Sequence, residues 1–201
     1  RAQGPDAGIY GARAAVIGGC AATSNVLAGQ AFNIPIGGTH AHSWIMSFPD
    51  EYTAFKEYAN LYPENAILLV DTYDTLHSGV PNAIKVFNEM KEAGIKFGRY
   101  GIRIDSGDLA YLSKKARKMI DAAGFNDASI VASSDLDENL ISSLKLQNAR
   151  IDSWGVGTKL ITSADCPAFG GVYKLAAIQN EDGVFEPKIK LSENTWKITN
   201  P

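Results

Sequence analysis

The sequence predicts an α/β fold in which parallel strands are joined by covering helices. Three observations point there. Apolar runs of strand length alternate with segments of helical periodicity, the runs end in Asp, Ser or Gly, and glycines stand where the helical segments should stop. The first run, Ala66-Ile67-Leu68-Leu69-Val70, ends at Asp71. Tyr100 to Ile104 ends at Asp105, and Ser129 to Ala132 ends at Ser133, Ser134 and Asp135. Ile151 to Trp154 enters Gly155-Val156-Gly157-Thr158, and a further strand is expected from Asn33 to Ile36, entering Gly37-Gly38-Thr39-His40.

The helices between them follow from spacing. Phe55, Tyr58, Ala59 and Tyr62 form one apolar stripe, as do Ala83, Val86, Phe87 and Met90. Leu112, Ala116, Met119 and Ile120 form the inner face of a third helix. Gly94 and Gly124 suit left-handed C-terminal caps, and Asp135 with Glu138 reads as a capping box opening a helix that carries Leu140, Ile141 and Leu144. After Gly170-Gly171 the pattern changes to a strand from Val172 to Ile178, an Asp182-Gly183 turn and Val184-Phe185-Glu186. This places one α/β barrel-like domain over 1–175 and a strand and hairpin over 176–201.

The 201 residues are 45% hydrophobic and 20% charged, enough to bury one sizeable core. A net charge of -3 without a basic stripe argues against a nucleic-acid partner. No apolar run is long enough to span a membrane and no leader is present, so a soluble, cytoplasmic protein is expected. Cys20 and Cys166 lack metal-ligand spacing and read as buried free thiols. The chain opens at Arg1 and stops at Pro201 without a closing element, as a piece of something longer would.

In parallel α/β barrels the site lies where the strands' C-terminal ends converge, and Asp71, Asp105, Asp135 and the Gly155–Gly157 loop all fall there. Capping or turn formation accounts for any one of them equally well. Their coincidence points to one mouth. Gly155-Val156-Gly157-Thr158-Lys159 can form a backbone nest for phosphate or simply a tight turn, and Gly170 and Gly171 favour the former. Arg103 and Asp105, two apart on a strand, share a face, as a binding pair or as a structural ion pair. Asp108 reads as a helix first-turn acid. His40 and His42 follow a Gly-Gly-Thr loop; imidazole there can serve as base, metal ligand, phosphoryl acceptor or structural hydrogen-bonding group. Nothing completes a zinc site, and His77 reads as structural.

Several ordered segments resemble the nicotinate phosphoribosyltransferase family: Arg1-Ala2-Gln3-Gly4-Pro5-Asp6, Thr23 to Gly29, Gly38-Thr39-His40-Ala41-His42-Ser43, Asp71-Thr72-Tyr73-Asp74, Ile102 to Leu109 and Gly155 to Thr158. Gly170 to Leu175 and Lys190 to Asn194 resemble it too. The resemblance implies a type II phosphoribosyltransferase with an irregular TIM-like barrel, here partial, in a homodimer. It implies nicotinate and phosphoribosyl pyrophosphate as substrates, ATP as co-substrate and magnesium as cofactor. His42 then matches the phosphorylated histidine, and Arg103 and Asp105 line base and ribose. Asp135 matches a ribose-hydroxyl ligand, while Gly155, Gly157, Thr158, Gly170 and Gly171 match the 5-phosphate cradle. Arg1, Thr39 and Ser43 are expected to face substrate, and Asp71 and Asp74 to lie near magnesium-pyrophosphate. The alternatives are a nicotinamide phosphoribosyltransferase and a non-catalytic fragment that binds nucleotide or mediates dimerisation.

Overall fold

The computed structural model describes residues 1–168 and 175–188. The chain divides into two compact units, Arg1–Asp165 and Cys166–Pro201.

The larger unit holds a four-stranded sheet in the order β1-β2-β3-β4, every neighbouring pair parallel. Its strands are β1 (Asn65–Leu69), β2 (Arg99–Ile104), β3 (Ser129–Ala132) and β4 (Ser153–Trp154). The helices α4 (Glu51–Leu61), α5 (Val80–Glu92), α6 (Leu109–Ala122) and α7 (Glu138–Leu146) precede or connect the strands. Before them come α1 (Pro5–Ile17), α2 (Val26–Phe32) and α3 (His42–Met46), and α8 (Thr158–Ile161) follows β4. This agrees with the α/β reading.

Alternation along the strands splits the sheet into two faces. Ala66, Leu68, Val70, Tyr100, Ile102, Ile104, Ile130 and Ala132 enter one buried cluster with Phe55 of α4, Phe87 of α5 and Ala116 and Ile120 of α6. Each fully buried Leu, Ile or Phe contributes about 1.5–3 kcal/mol by leaving water. The opposite face carries the intervening residues, among them Leu69, Arg103, Val131 and Ser153, which lie side by side in the ladder. Strand β2 is thus apolar towards the helices and charged away from them.

The helix ends follow local chemistry. Asp50 and Asp108 accept from the backbone N–H of Thr53 and Tyr111, capping α4 and α6. Gly94 and Gly124 sit at φ 69° and 87°, the left-handed stops expected after α5 and α6. The capping box is corrected: Asp137, not Asp135, caps α7 by accepting from Leu140 N–H, while Asp135 lies outside the helix at φ 45°. Between β1 and α5 a π-helical turn, Thr75–Gly79, crosses the strand end so closely that a Cβ on Gly79 would stand 1.9 Å from the Val70 carbonyl oxygen.

The strand expected from Asn33 to Ile36 does not form. Asn33 is left-handed at φ 51°, Pro35 has no N–H, and only an isolated bridge joins Ile36 to Thr23. The chain beyond it instead covers the free edge of β1 with polar contacts. Asn65 Nδ2 donates to the Gly38 carbonyl at 3.1 Å, Thr39 Oγ1 to the Ile67 carbonyl at 2.5 Å, and Leu69 N–H to His40 Nε2 at 3.3 Å. Edge groups of β1 are satisfied without another strand. The cysteines also depart from expectation: both are free, but Cys20 is half-buried and Cys166 exposed.

In the smaller unit, β5 (Ala177–Gln179) and β6 (Phe185–Pro187) form an antiparallel hairpin whose turn includes Gly183 at φ 78°. Gly170, Gly171, the Val172 end of the expected strand and Lys190 to Asn194 lie outside the described residues. No helix among the described residues is long and apolar enough to cross a membrane.

Candidate active site

Strand register dictates what meets at the C-terminal edge of the sheet. Ile104 pairs with Ala132, and Ala132 with Trp154. One residue on, Asp105, Ser133 and Gly155 therefore form a row on the face away from the helices. Asp71 joins it from β1, its Oδ2 accepting the Asp105 N–H at 3.1 Å and the Ser106 hydroxyl at 2.5 Å.

His42 is delivered to this row by the loop along β1. Its Nε2 lies 3.5 Å from Asp105 Oδ2, and its Nδ1 is 3.0 Å from the Thr72 hydroxyl. The ring is partly exposed, so an incoming group can reach it. Arg103 projects from the same face of β2. Its Nη2 donates to the His40 carbonyl at 2.7 Å and its Nη1 to the Ser133 hydroxyl at 3.3 Å. Ser133 in turn donates to Asp105 Oδ1. Arg103, Ser133 and Asp105 thus share one hydrogen-bonded chain, with the His42 imidazole alongside Asp105.

His40 faces the other way, packed edge-on against Tyr58, with rings 4.5 Å apart. Burial holds its pKa down from 6.5 to about 4, the nearby Arg103 and His42 charges acting in the same direction. An imidazole that accepts the Leu69 N–H at Nε2 carries its proton on Nδ1, so His40 is neutral and structural.

The outer parts of the expected site arrive separately. Ser134 and Asp135 adopt φ of 104° and 45°, two consecutive non-glycine residues in sparsely populated backbone at the end of β3. Asp135 is exposed there. Gly157 opens α8, and a Cβ on it would meet nothing within 4 Å, so its backbone is open to a ligand. Arg1 Nη1 donates to Thr158 Oγ1 at 3.2 Å, bringing together two expected substrate contacts 157 positions apart. Lys159 is paired at 2.7 Å with Asp137.

Some expected residues are turned elsewhere. The Thr39 hydroxyl is engaged by the Ile67 carbonyl, and Ser43 is exposed on α3. Asp74 accepts from Leu76 and His77 N–H and pairs with the His77 ring at 3.1 Å, so it closes its own turn. Asp71 differs: its Oδ1 is buried without a partner. Among the described residues no three His, Cys, Asp or Glu side chains are grouped to hold a metal. Thr72, Ser106 and Ser133 are polar contacts that motif reading passes over, because a hydroxyl beside an Asp in a turn is common.

No family model matches the chain. A nicotinate phosphoribosyltransferase of Bacillus subtilis is 61% identical over all 201 residues, which span 40% of that protein. One of Dictyostelium discoideum is 42% identical, again across the whole chain and 41% of its own length. The crystal structure of human nicotinic acid phosphoribosyltransferase superposes with a TM-score of 0.71 at 29% identity, covering 78% of this chain and 41% of the other. A nicotinate-nucleotide pyrophosphorylase structure from Pyrococcus furiosus gives 0.63 at 26% identity, covering 80% and 40%. The chain therefore spans about 40% of the length of the curated relatives it matches.

Proposed function

We propose, from the premise that this chain is homologous along its whole length to the nicotinate phosphoribosyltransferases, that it carries the phosphoribosyl-transfer site of such an enzyme. The observation that carries this reading is the single row of Asp71, Asp105, Ser133 and Gly155, with Arg103 hydrogen-bonded into it and His42 3.5 Å from Asp105. The protein would form nicotinate mononucleotide and pyrophosphate from nicotinate and phosphoribosyl pyrophosphate, a step of NAD salvage.

The chemistry fits these groups. As the bond from the anomeric carbon to pyrophosphate breaks, positive charge develops on the ribose and negative charge on the leaving group. The nicotinate ring nitrogen forms the new bond, so no protein nucleophile is needed for that step. Asp105 and Asp135 present carboxylates to the sugar, Arg103 pairs with the nicotinate carboxylate, and the open Gly157 backbone with Thr158 and Arg1 receives the 5-phosphate. Asp71 would be the carboxylate to hold a magnesium ion, which when bound with the substrate phosphates would supply charge neutralisation for pyrophosphate. Asp74 fits that role poorly because its own turn engages it.

His42 is proposed to couple ATP hydrolysis to this reaction. A ring nitrogen attacks the terminal phosphorus, an N–P bond forms, and the bond to ADP breaks. Thr72 and Asp105 hold the ring on either side. The monotonic order of the parallel strands, without the reversal of a doubly wound sheet, supports an arc of an irregular barrel. A homodimer in the cytoplasm completes the reading.

The test is an assay of the full-length protein with phosphoribosyl pyrophosphate and either base. Nicotinate turnover stimulated by ATP is expected, with His42→Ala keeping basal transfer and losing the stimulation. Preference for nicotinamide, or unchanged ATP stimulation in His42→Ala, contradicts the reading.

A further inference from the structure

Ser133 carries no role in the reaction as described, yet two charged groups meet at its hydroxyl. The residue is buried, 8% exposed, at the end of β3. Its Oγ donates to Asp105 Oδ1 and accepts from Arg103 Nη1 at 3.3 Å. A guanidinium can only donate and a hydroxyl has one proton, so the direction of both bonds is fixed. Arg103 and Asp105 themselves stand 3.9 Å apart, too far for a direct hydrogen bond. The serine therefore bridges the pair. The other anchor of the guanidinium is the His40 carbonyl, and Arg103 Nε is buried without a partner, so losing one anchor leaves little to hold the group.

Gly155 lies beside the same residue. A Cβ there would lie 3.3 Å from the Ser133 Cβ and 3.6 Å from the Ala132 carbonyl oxygen. Gly155 N–H donates to the Ala132 carbonyl at 2.7 Å, so the glycine loop is tied to β3 beside Ser133, and a side chain at 155 would crowd the serine by a few tenths of an ångström.

We infer that Ser133 is a positioning residue: from β3 it fixes the separation of Arg103 and Asp105 on β2, and through Gly155 it ties their placement to the glycine loop after β4. Its consequence for catalysis rests on the phosphoribosyl-transfer reading; the bridging itself does not.

Two measurements separate these layers. In the 201-residue chain, NMR detection of rotation about the Arg103 Nε–Cζ bond should show faster rotation in Ser133→Ala than in wild type. Unchanged rotation overturns the inference, whatever reaction the protein catalyses. In the full-length protein, Ser133→Ala should lower kcat/KM by roughly tenfold to a hundredfold, as expected for losing charge-assisted hydrogen bonds. In an Asp105→Asn background the same substitution should cost less than about threefold, because the two residues act as one unit. A twofold or smaller effect in the single variant, or full additivity in the double one, overturns the positioning role. If Ser133→Ala does not fold, Ser133→Cys keeps a weaker donor on the same rotor and should move both readouts in the same direction by less; no movement in either is then the contrary result. A wild-type protein that transfers no phosphoribosyl group sinks the reaction reading alone and leaves the rotation measurement decisive for Ser133.

Discussion

Two histidines separated by one residue have opposite environments. His42 meets Asp105 and Thr72 at the open edge of the sheet, while His40 turns inwards, accepts a strand N–H and lends its carbonyl to Arg103. Their His-x-His spacing would put both rings on one side of an extended strand, but His42 already begins α3, and this change of backbone conformation after Ala41 lets the two rings part. His40 carries a pH signature. Its imidazole titrates near 6.5 when unfolded and near about 4 when folded, so the unfolded state binds more protons in between. Stability is full above the unfolded value and is lost as pH falls through the folded one. This single group should remove about 3 kcal/mol between pH 7 and pH 4. His40→Gln retains an acceptor for Leu69 N–H without the titration, so urea unfolding of the variant should vary less steeply with pH over that window. An equal slope in both proteins would assign the loss to carboxylates elsewhere. At this scale the sequence showed which types of residue mattered and less often which way they faced. Asp105 and Arg103 were legible from strand alternation; Ser133 was not, because its importance comes from neighbours 28 and 30 positions away.

Elements were legible where periodicity was long and punctuated. The apolar stripes of α4, α5 and α6, with glycine stops after the latter two, identify those helices, and the runs ending at Asp71, Asp105 and Asp135 identify three strands. Short pieces were obscure. The segment beside β1 has the composition of a strand but bonds through side chains, and the cap of α7 shifted from Asp135 to Asp137 because Asp135 occupies a left-handed turn. The π-helical turn carries no periodic signal, yet it has one strict requirement. Because a methyl group at position 79 would overlap the Val70 carbonyl, Gly79→Ala must displace the turn or the strand end. We expect a loss of at least about 1–3 kcal/mol, as for overpacking in a close-packed interior. A thermal midpoint within a degree of wild type would show that the turn and strand do not approach so closely.

At the scale of the whole unit, function depends on topology more than on any motif. Four parallel strands in sequential order align their C-terminal ends, so Asp71, Asp105, Ser133 and Gly155 become neighbours although far apart in the chain. The helical face is apolar and buried, and the opposite face bears Arg103 and Asp105. The charged and hydroxyl side chains are thereby gathered on one side and one edge. The alternation of strands and helices disclosed this arrangement in the sequence.

The most direct measurement is backbone amide shift mapping of the 201-residue chain titrated with nicotinate mononucleotide. Saturable perturbations are expected at Asp105, Asp135 and Gly155 to Thr158, at one edge of the sheet. Perturbations confined to the opposite strand ends or to the outer surfaces of α4 to α6, or none at saturating ligand, would contradict a phosphosugar site at that edge.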